Sequence, residues 1–115
     1  MQLPRDAVLL RIFIGEDAKS GRLPLYEAIL IKAREMQLAG ATVLRGPMGF
    51  GHSSHIHTTK ILRLSQDLPI VIEIVDAEDK LRAFCRSLET FKDIGLVTLE
   101  RVEILHYGAG REGAA

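Results

Sequence analysis

Apolar and polar positions alternate with period two in several stretches of the chain and recur with a period near 3.6 in two others. "AVLLRIFIG" (7–15) sets Val8, Leu10, Ile12 and Ile14 on one face and Leu9, Arg11 and Phe13 on the other, the pattern of a β-strand. "LPIVIEIVD" (68–76) alternates Ile70, Ile72 and Ile74 with Val71, Glu73 and Val75. "LVTLERVEILHY" (96–107) reads as a last strand and "ATVLRG" (41–46) as a short one. Leu25, Ile29, Ala33 and Met36, widened by Tyr26 and Leu30, form the stripe of a helix whose wet side carries Glu27, Lys32, Arg34 and Glu35. Pro24 suits the first turn of that helix, where its missing N–H costs nothing, and Gly40 suits a left-handed cap at its end. Leu81, Phe84, Leu88 and Phe91 give a second helix its stripe. Asp76 stands where an N-cap is wanted, Glu78 and Asp79 suit the first turn, and Gly95 is the expected breaker.

The order strand, helix, strand, long loop, strand, helix, strand predicts an α+β, ferredoxin-like βαββαβ sandwich. It has a four-stranded antiparallel sheet with both helices on one face. One domain spanning 1–115 is expected, with its core at 7–107 and a frayed tail at 108–115. Two helices cover one face only, yet Leu9, Phe13, Val71 and Val75 make the other face apolar as well. Leaving a large apolar side chain in water costs roughly 1.5–3 kcal/mol relative to burial. The pattern therefore predicts an oligomer that shares the open faces.

Composition narrows the class without naming a chemistry. The 115 residues are 47% apolar and 26% charged, with fifteen basic side chains against fifteen acidic ones. Zero net charge argues against broad attraction to nucleic acid or an anionic membrane. The single cysteine, Cys85, allows no internal disulfide and fits a reducing cytoplasmic setting. "MQLPRDA" carries charges and a proline where a secretory leader needs an apolar core, and no apolar run approaches the ~18 residues of a membrane span.

Candidate chemistry concentrates in the span from Gly46 to Leu68. It is far longer than the ~2–5 residues an ordinary hairpin needs, and loops of that length in compact domains are functional or disordered. Part of it, "KILRL" (60–64), has the alternation of a strand extension. "GPMGFGHS" (46–53) fits the Walker A spacing, but His52 stands where the phosphate-reaching lysine is required. A weaker anion cradle survives: Gly46, Gly49 and Gly51 permit backbone turns that aim successive N–H groups at one anion, with Arg45, Lys60 and Arg63 adding charge. His52, His55 and His57 form an alternative metal-ligating cluster, although no carboxylate or thiol lies among them. Ser53 or Ser54 beside a histidine would be a nucleophile without an orienting third group. Cys85 reads as packing and His106 as a half-buried sheet residue. Glu16, Asp17 and Arg22 read as a solvated turn.

The blocks "LRIFIGE", "PLYEAILIKAREMQLAGATVLRGPMGFG" and "IHTTKILRLSQDLPIVIEIVD", with the alternating last strand, resemble the uncharacterised PII-like proteins of domain of unknown function 190. The resemblance runs from about Leu9 to Tyr107. More distantly, "GATVLRGPMGFG" and "IVIEIVDAEDKLRAF" are similar to blocks of the PII signalling proteins. That resemblance implies a homotrimer with a non-catalytic, regulatory role. An adenine nucleotide or another small anion would bind between subunits as effector. A long loop would close over the ligand and dock on a transporter or enzyme. Gly49, Phe50 and Gly51 match the glycine–phenylalanine–glycine at the root of that loop, and Lys60 corresponds to a basic residue on its returning arm. The chain departs from the PII pattern at "FKDIGLVT" (91–98), where Lys92 is the only basic group, and at "LHYGAGREG" (105–113), where Arg111 replaces an arginine pair. No tyrosine lies among residues 46–68, so modification of a loop tyrosine is not expected.

Overall fold

A computed structural model describes residues 3–50 and 67–108. In chain order these form β1 (Asp6–Gly15), a small hairpin of β2 (Lys19–Ser20) and β3 (Leu23–Pro24), α1 (Leu25–Glu35), β4 (Thr42–Arg45), β5 (Pro69–Asp76), α2 (Glu78–Ser87) and β6 (Leu96–Glu103). A 3-10 turn, Leu88–Thr90, extends α2. The main sheet has the order β4-β5-β1-β6 with every neighbouring pair antiparallel. Each helical crossover skips one strand, which is the ferredoxin-like arrangement expected from the pattern. Among the described residues no helix is long and apolar enough to cross a membrane.

Period-two alternation sorts the core. Val8, Leu10, Ile12 and Ile14 on β1 lie in register with Asp76, Ile74, Ile72 and Ile70 on β5, and all eight are buried. Leu25, Ile29 and Ala33 of α1, Leu81 and Phe84 of α2 and Leu88 of the 3-10 turn join the apolar members of this set in one cluster. Both helices therefore pack on the same sheet face. Met36, Tyr26 and Leu30 flank the cluster, as the α1 stripe predicted, and Phe91 does so from beyond the 3-10 turn.

Three terminators differ from expectation. The left-handed residue after α1 is Gln37 (φ 58°), not Gly40. The Gln37 N–H donates to Arg34 O at 3.0 Å and the Leu38 N–H to Ala33 O at 3.1 Å, the paired bonds of a Schellman cap. Gly40 lies beyond this cap, three residues too late to supply it. Asp76 does not cap α2; Ala77 occupies that position with no side-chain cap bond. Asp76 ends β5 at 1% exposure. Its carboxylate accepts from the Ala39 N–H at 2.9 Å and from the Ala77 N–H at 2.7 Å, with Lys80 Nζ at 3.6 Å. Gly95 does not break the helix, which gives way after Ser87. The Gly95 N–H instead donates to Phe13 O at 2.9 Å, leading the chain into β6. The last strand ends at Glu103 rather than Tyr107. The Tyr107 hydroxyl donates to Ala39 O at 2.9 Å, so the segment after β6 ties back to the α1–β4 connection.

The other sheet face carries no helix, and register arranges it in rows. Leu44 of β4 opposes Val71, Val71 opposes Phe13, and Phe13 opposes Leu96. These four form an apolar row across all four strands. Leu44 and Leu96 at its ends are 47% and 54% exposed. Thr42, Glu73, Arg11 and Thr98 form the next row, and Val75, Leu9 and Glu100 a third. Arg11 donates to Glu73 at 2.9 Å and also pairs with Glu100. Its guanidinium is held still more firmly charged by these hydrogen bonds, Glu73 first and Glu100 second. The greasy open face expected from Leu9, Phe13, Val71 and Val75 is thus divided by a charged strip.

Two outcomes follow for stability. Asp76→Ala removes the acceptor of two part-buried backbone donors, and a total loss on the order of 1–3 kcal/mol is expected in denaturant titration. Glu78 joins α2 to β6 by accepting from Arg101 at 2.8 Å and from Arg82 at 2.8 Å. Those two hydrogen bonds, Arg101's first, lower its pKa from the ordinary 4.5. A carboxylate depressed in the fold adds stability above its unfolded pKa and loses it as pH falls through the folded one. The stability gap between the parent and Glu78→Gln should be full at pH 7, shrink below about pH 4.5, and close at lower pH.

Candidate functional site

One end of the sheet gathers the close of β1, the close of β4, the start of β5 and the approach to β6. The chain leaves the sheet after Arg45 and returns before Pro69, and four contacts fix this root. The Gly46 N–H donates to Pro69 O at 2.8 Å, and the Glu16 N–H donates to Leu68 O at 2.8 Å. Asp67 Oδ1 accepts from the Asp17 N–H at 3.0 Å. Arg45 Nη2 pairs with Glu16 Oε2.

The glycines here permit close approach. A Cβ at Gly46 would stand 2.8 Å from Pro69 Cγ, one at Gly49 3.1 Å from the same atom, and one at Gly15 2.7 Å from Asp67 Oδ1. Positive φ is not what this turn demands, because Gly46 and Gly49 lie outside the left-handed region. The departing segment folds flat onto the proline ring, and a side chain at either position would lift it off.

Several expected site residues are now placed. Arg45 ends β4 with a half-exposed side chain, but it is engaged by Glu16 rather than standing free. Gly46 cannot join a cradle of N–H donors, since its own N–H is spent on Pro69 O. Gly49 lies against Pro69. Phe50 and Met48 project, at 67% and 69% exposure. Gly51, His52, Ser53, Ser54, His55, His57, Lys60 and Arg63 lie outside the described residues, as do the "KILRL" extension and Arg111. Among the described residues no group of three or more His, Cys, Asp or Glu side chains could hold a metal ion.

Arg22 is exposed, as a solvated turn requires; of Glu16 and Asp17, Asp17 is exposed and Glu16 is part-buried. Glu16 is bound to Arg45, and the backbone of both is tied to the returning arm. Asp67 and Pro69 carry no motif and escape notice in sequence, because their partners lie some fifty residues or about twenty residues away along the chain. His106 lies past β6 and is exposed, so it is not a half-buried sheet residue. Lys92 is exposed in the turn before β6. Cys85 flanks the core and borders an open groove of about 370 Å³ between α2 and β6. Burial pushes its thiol pKa up, opposed by Arg82 and Arg86. That environment suits packing rather than nucleophilic chemistry.

The chain belongs to the family DUF190, described as an uncharacterized ACR, which matches residues 7–104. A UPF0166 protein of Aquifex aeolicus is 41% identical over 98 residues, covering 85% of this chain and 92% of that one. A UPF0166 protein of Methanocaldococcus jannaschii is 32% identical over 94 residues, covering 81% and 86%. Among solved structures, CPII from Thiomonas intermedia K12 bound to ADP, AMP and acetate superposes with a TM-score of 0.63 at 15% identity, covering 92% of this chain and 94% of that one. CPII bound to ADP, AMP and bicarbonate, described as a nitrogen regulatory PII-like protein, gives a TM-score of 0.62 at 13% identity, covering 92% and 99%. At these identities the structural likeness is one of fold.

The root geometry yields a direct test. Gly46→Ala forces a methyl group against the rigid Pro69 ring and should cost about 1–3 kcal/mol in denaturant titration, the ordinary size of an overpacking effect. Pro69→Ala in the same chain should recover part of that loss, and the coupling between the two sites is read as a double-mutant cycle.

Proposed function

We propose that this protein is a non-enzymatic, PII-like regulator that works as a homotrimer. An adenine nucleotide or another small anionic metabolite binds between subunits beside Arg45, Gly49 and Phe50, with Gly51, Lys60 and Arg63 following in sequence. The 46–68 segment takes one arrangement when the ligand is present and another when it is absent. A partner transporter or enzyme reads the difference. The ligand acts only through its unequal affinity for the two arrangements, which is a population shift and needs no covalent chemistry.

The observation that carries this reading is the placement of the apolar row beside the loop root. Leu44, Val71, Phe13 and Leu96 occupy the open face at the end of the sheet where the chain departs after Arg45. Copies that meet through this row bring their loop roots to the seam between subunits. The fold supports the same reading, since CPII shares it and has been solved with ADP and AMP bound. Phe50 and Met48, exposed in the single chain, would find apolar surface at such a seam.

Calorimetric titration with ADP and with AMP, beside light scattering at micromolar concentration, tests the proposal. Saturable binding and a particle of three chain masses are expected. At a hundred times its dissociation constant, a ligand held only by the folded state adds about 2.7 kcal/mol, so a rise in melting temperature should accompany binding. Phe13→Glu sets a carboxylate in the middle of the apolar row and should give single chains. A single-chain particle from the parent protein, or no heat with either nucleotide, overturns the reading.

A further inference from the structure

The end of the sheet at which an anion is proposed to bind is not electropositive among the described residues. Glu16, Asp17 and Asp67 meet there through the root contacts, and Arg45 is the cation that reaches them. Glu16 is also delivered rather than merely nearby. Its N–H is fixed to Leu68 O at 2.8 Å, and the next N–H, that of Asp17, is fixed to Asp67 Oδ1 at 3.0 Å. Gly15 lets the Asp67 carboxylate close against the chain, where a Cβ would stand at 2.7 Å. Strand parity places both side chains on the helix side of the sheet. Arg45 pairs with buried Ile70, and Glu16 continues the buried series of Ile12 and Ile14. The Glu16 carboxylate is three-quarters shielded, at 25% side-chain exposure, while Arg45 is 54% exposed. The guanidinium is accessible to an incoming ligand while its resident partner is held from behind.

We propose that Glu16 is an internal competitor for Arg45, a tethered carboxylate occupying the place of the ligand's anionic group. The inference rests on the anion site proposed above and specifies how that site is set. An anion that docks at the root must take Arg45 from Glu16 and tolerate the displaced carboxylate nearby. Both a carboxylate and a phosphate offer the guanidinium paired acceptors, and a phosphate or diphosphate group carries more charge to draw it away. Glu16 thereby lowers affinity for every anion that must take Arg45 from it. Since Glu16 is bound to Leu68 through its backbone, release of its side chain leaves the returning arm of the loop in place. The side-chain exchange is local.

The test is a calorimetric cycle with ADP as the probe, using the full-length chain, Glu16→Gln, Arg45→Gln and the double variant at low and at moderate salt. A part-exposed ion pair is worth little, so Glu16→Gln should bind ADP about two- to fivefold more tightly than the parent. The gain should shrink as salt rises. It should vanish in the Arg45→Gln background, because the competitor then has nothing to hold. The gain with inorganic phosphate should be at least as large as with ADP. Unchanged or weaker ADP binding by Glu16→Gln overturns the inference while leaving the nucleotide site standing. An equal gain with and without Arg45 also overturns it, since the effect would then be general charge removal. Absence of ADP binding by every variant overturns the proposed site and, with it, this refinement.

Discussion

The antiparallel pairing of β1 with β5 on one side and β6 on the other constrains everything else in the molecule. It locks the parity of the central strands, so that Val8, Leu10, Ile12 and Ile14 face the same side as Ile70, Ile72 and Ile74. A one-residue slip would turn that whole set outward. Two helices suffice to cover one such face, and α1 and α2 do so with Leu25, Ile29, Leu81 and Phe84, each at 0% exposure. The same parity commits Leu9, Phe13, Val71 and Val75 to the uncovered face. The core and the open face are two consequences of one register.

The open face is not uniformly apolar, and the difference matters for association. Arg11 and Glu73, in the row beside Leu44–Leu96, and Glu100, in the row of Leu9 and Val75, form a charged strip. Two carboxylates against one guanidinium leave the strip with a net negative charge. Any copy laid against this face must match the apolar rows and either leave the strip hydrated or satisfy it. Such a strip restricts which superpositions of two sheets are tolerable, since juxtaposed like charges oppose the wrong ones. The apolar rows supply the drive to associate and the strip limits the geometry.

At the root of the long segment, close backbone approach and charge act together. Gly46 and Gly49 fold the departing chain onto Pro69, and Asp67 fastens the returning chain to the turn after β1. The strand ends are therefore rigid where the segment joins them. The fold thus holds the two ends of the long connection between β4 and β5 firmly together.

Periodicity alone made the four main strands, the two helices, their order and the two-sided character of the sheet legible, because burial acts on each element through its own repeat. Single-residue rules misplaced the terminators. Gly40 has the right chemistry for a left-handed cap, yet Gln37 takes the conformation because the Ala33 and Arg34 carbonyls need partners there. Asp76 has the right chemistry for an N-cap, but burial at the end of β5 turns its carboxylate toward the backbone of Ala39 and Ala77. Glycine clustering marked the root of the segment, and the resemblance drew attention to Gly49 and Phe50. Neither could reveal that Gly46 spends its N–H on Pro69, or that Glu16 holds Arg45. The sequence by itself determined which faces are apolar, since that depends on spacing within each element. Only the tertiary structure decided which charges neutralise each other, because Glu16 and Arg45, or Arg11, Glu73 and Glu100, become neighbours solely through pairing of strands far apart in the chain.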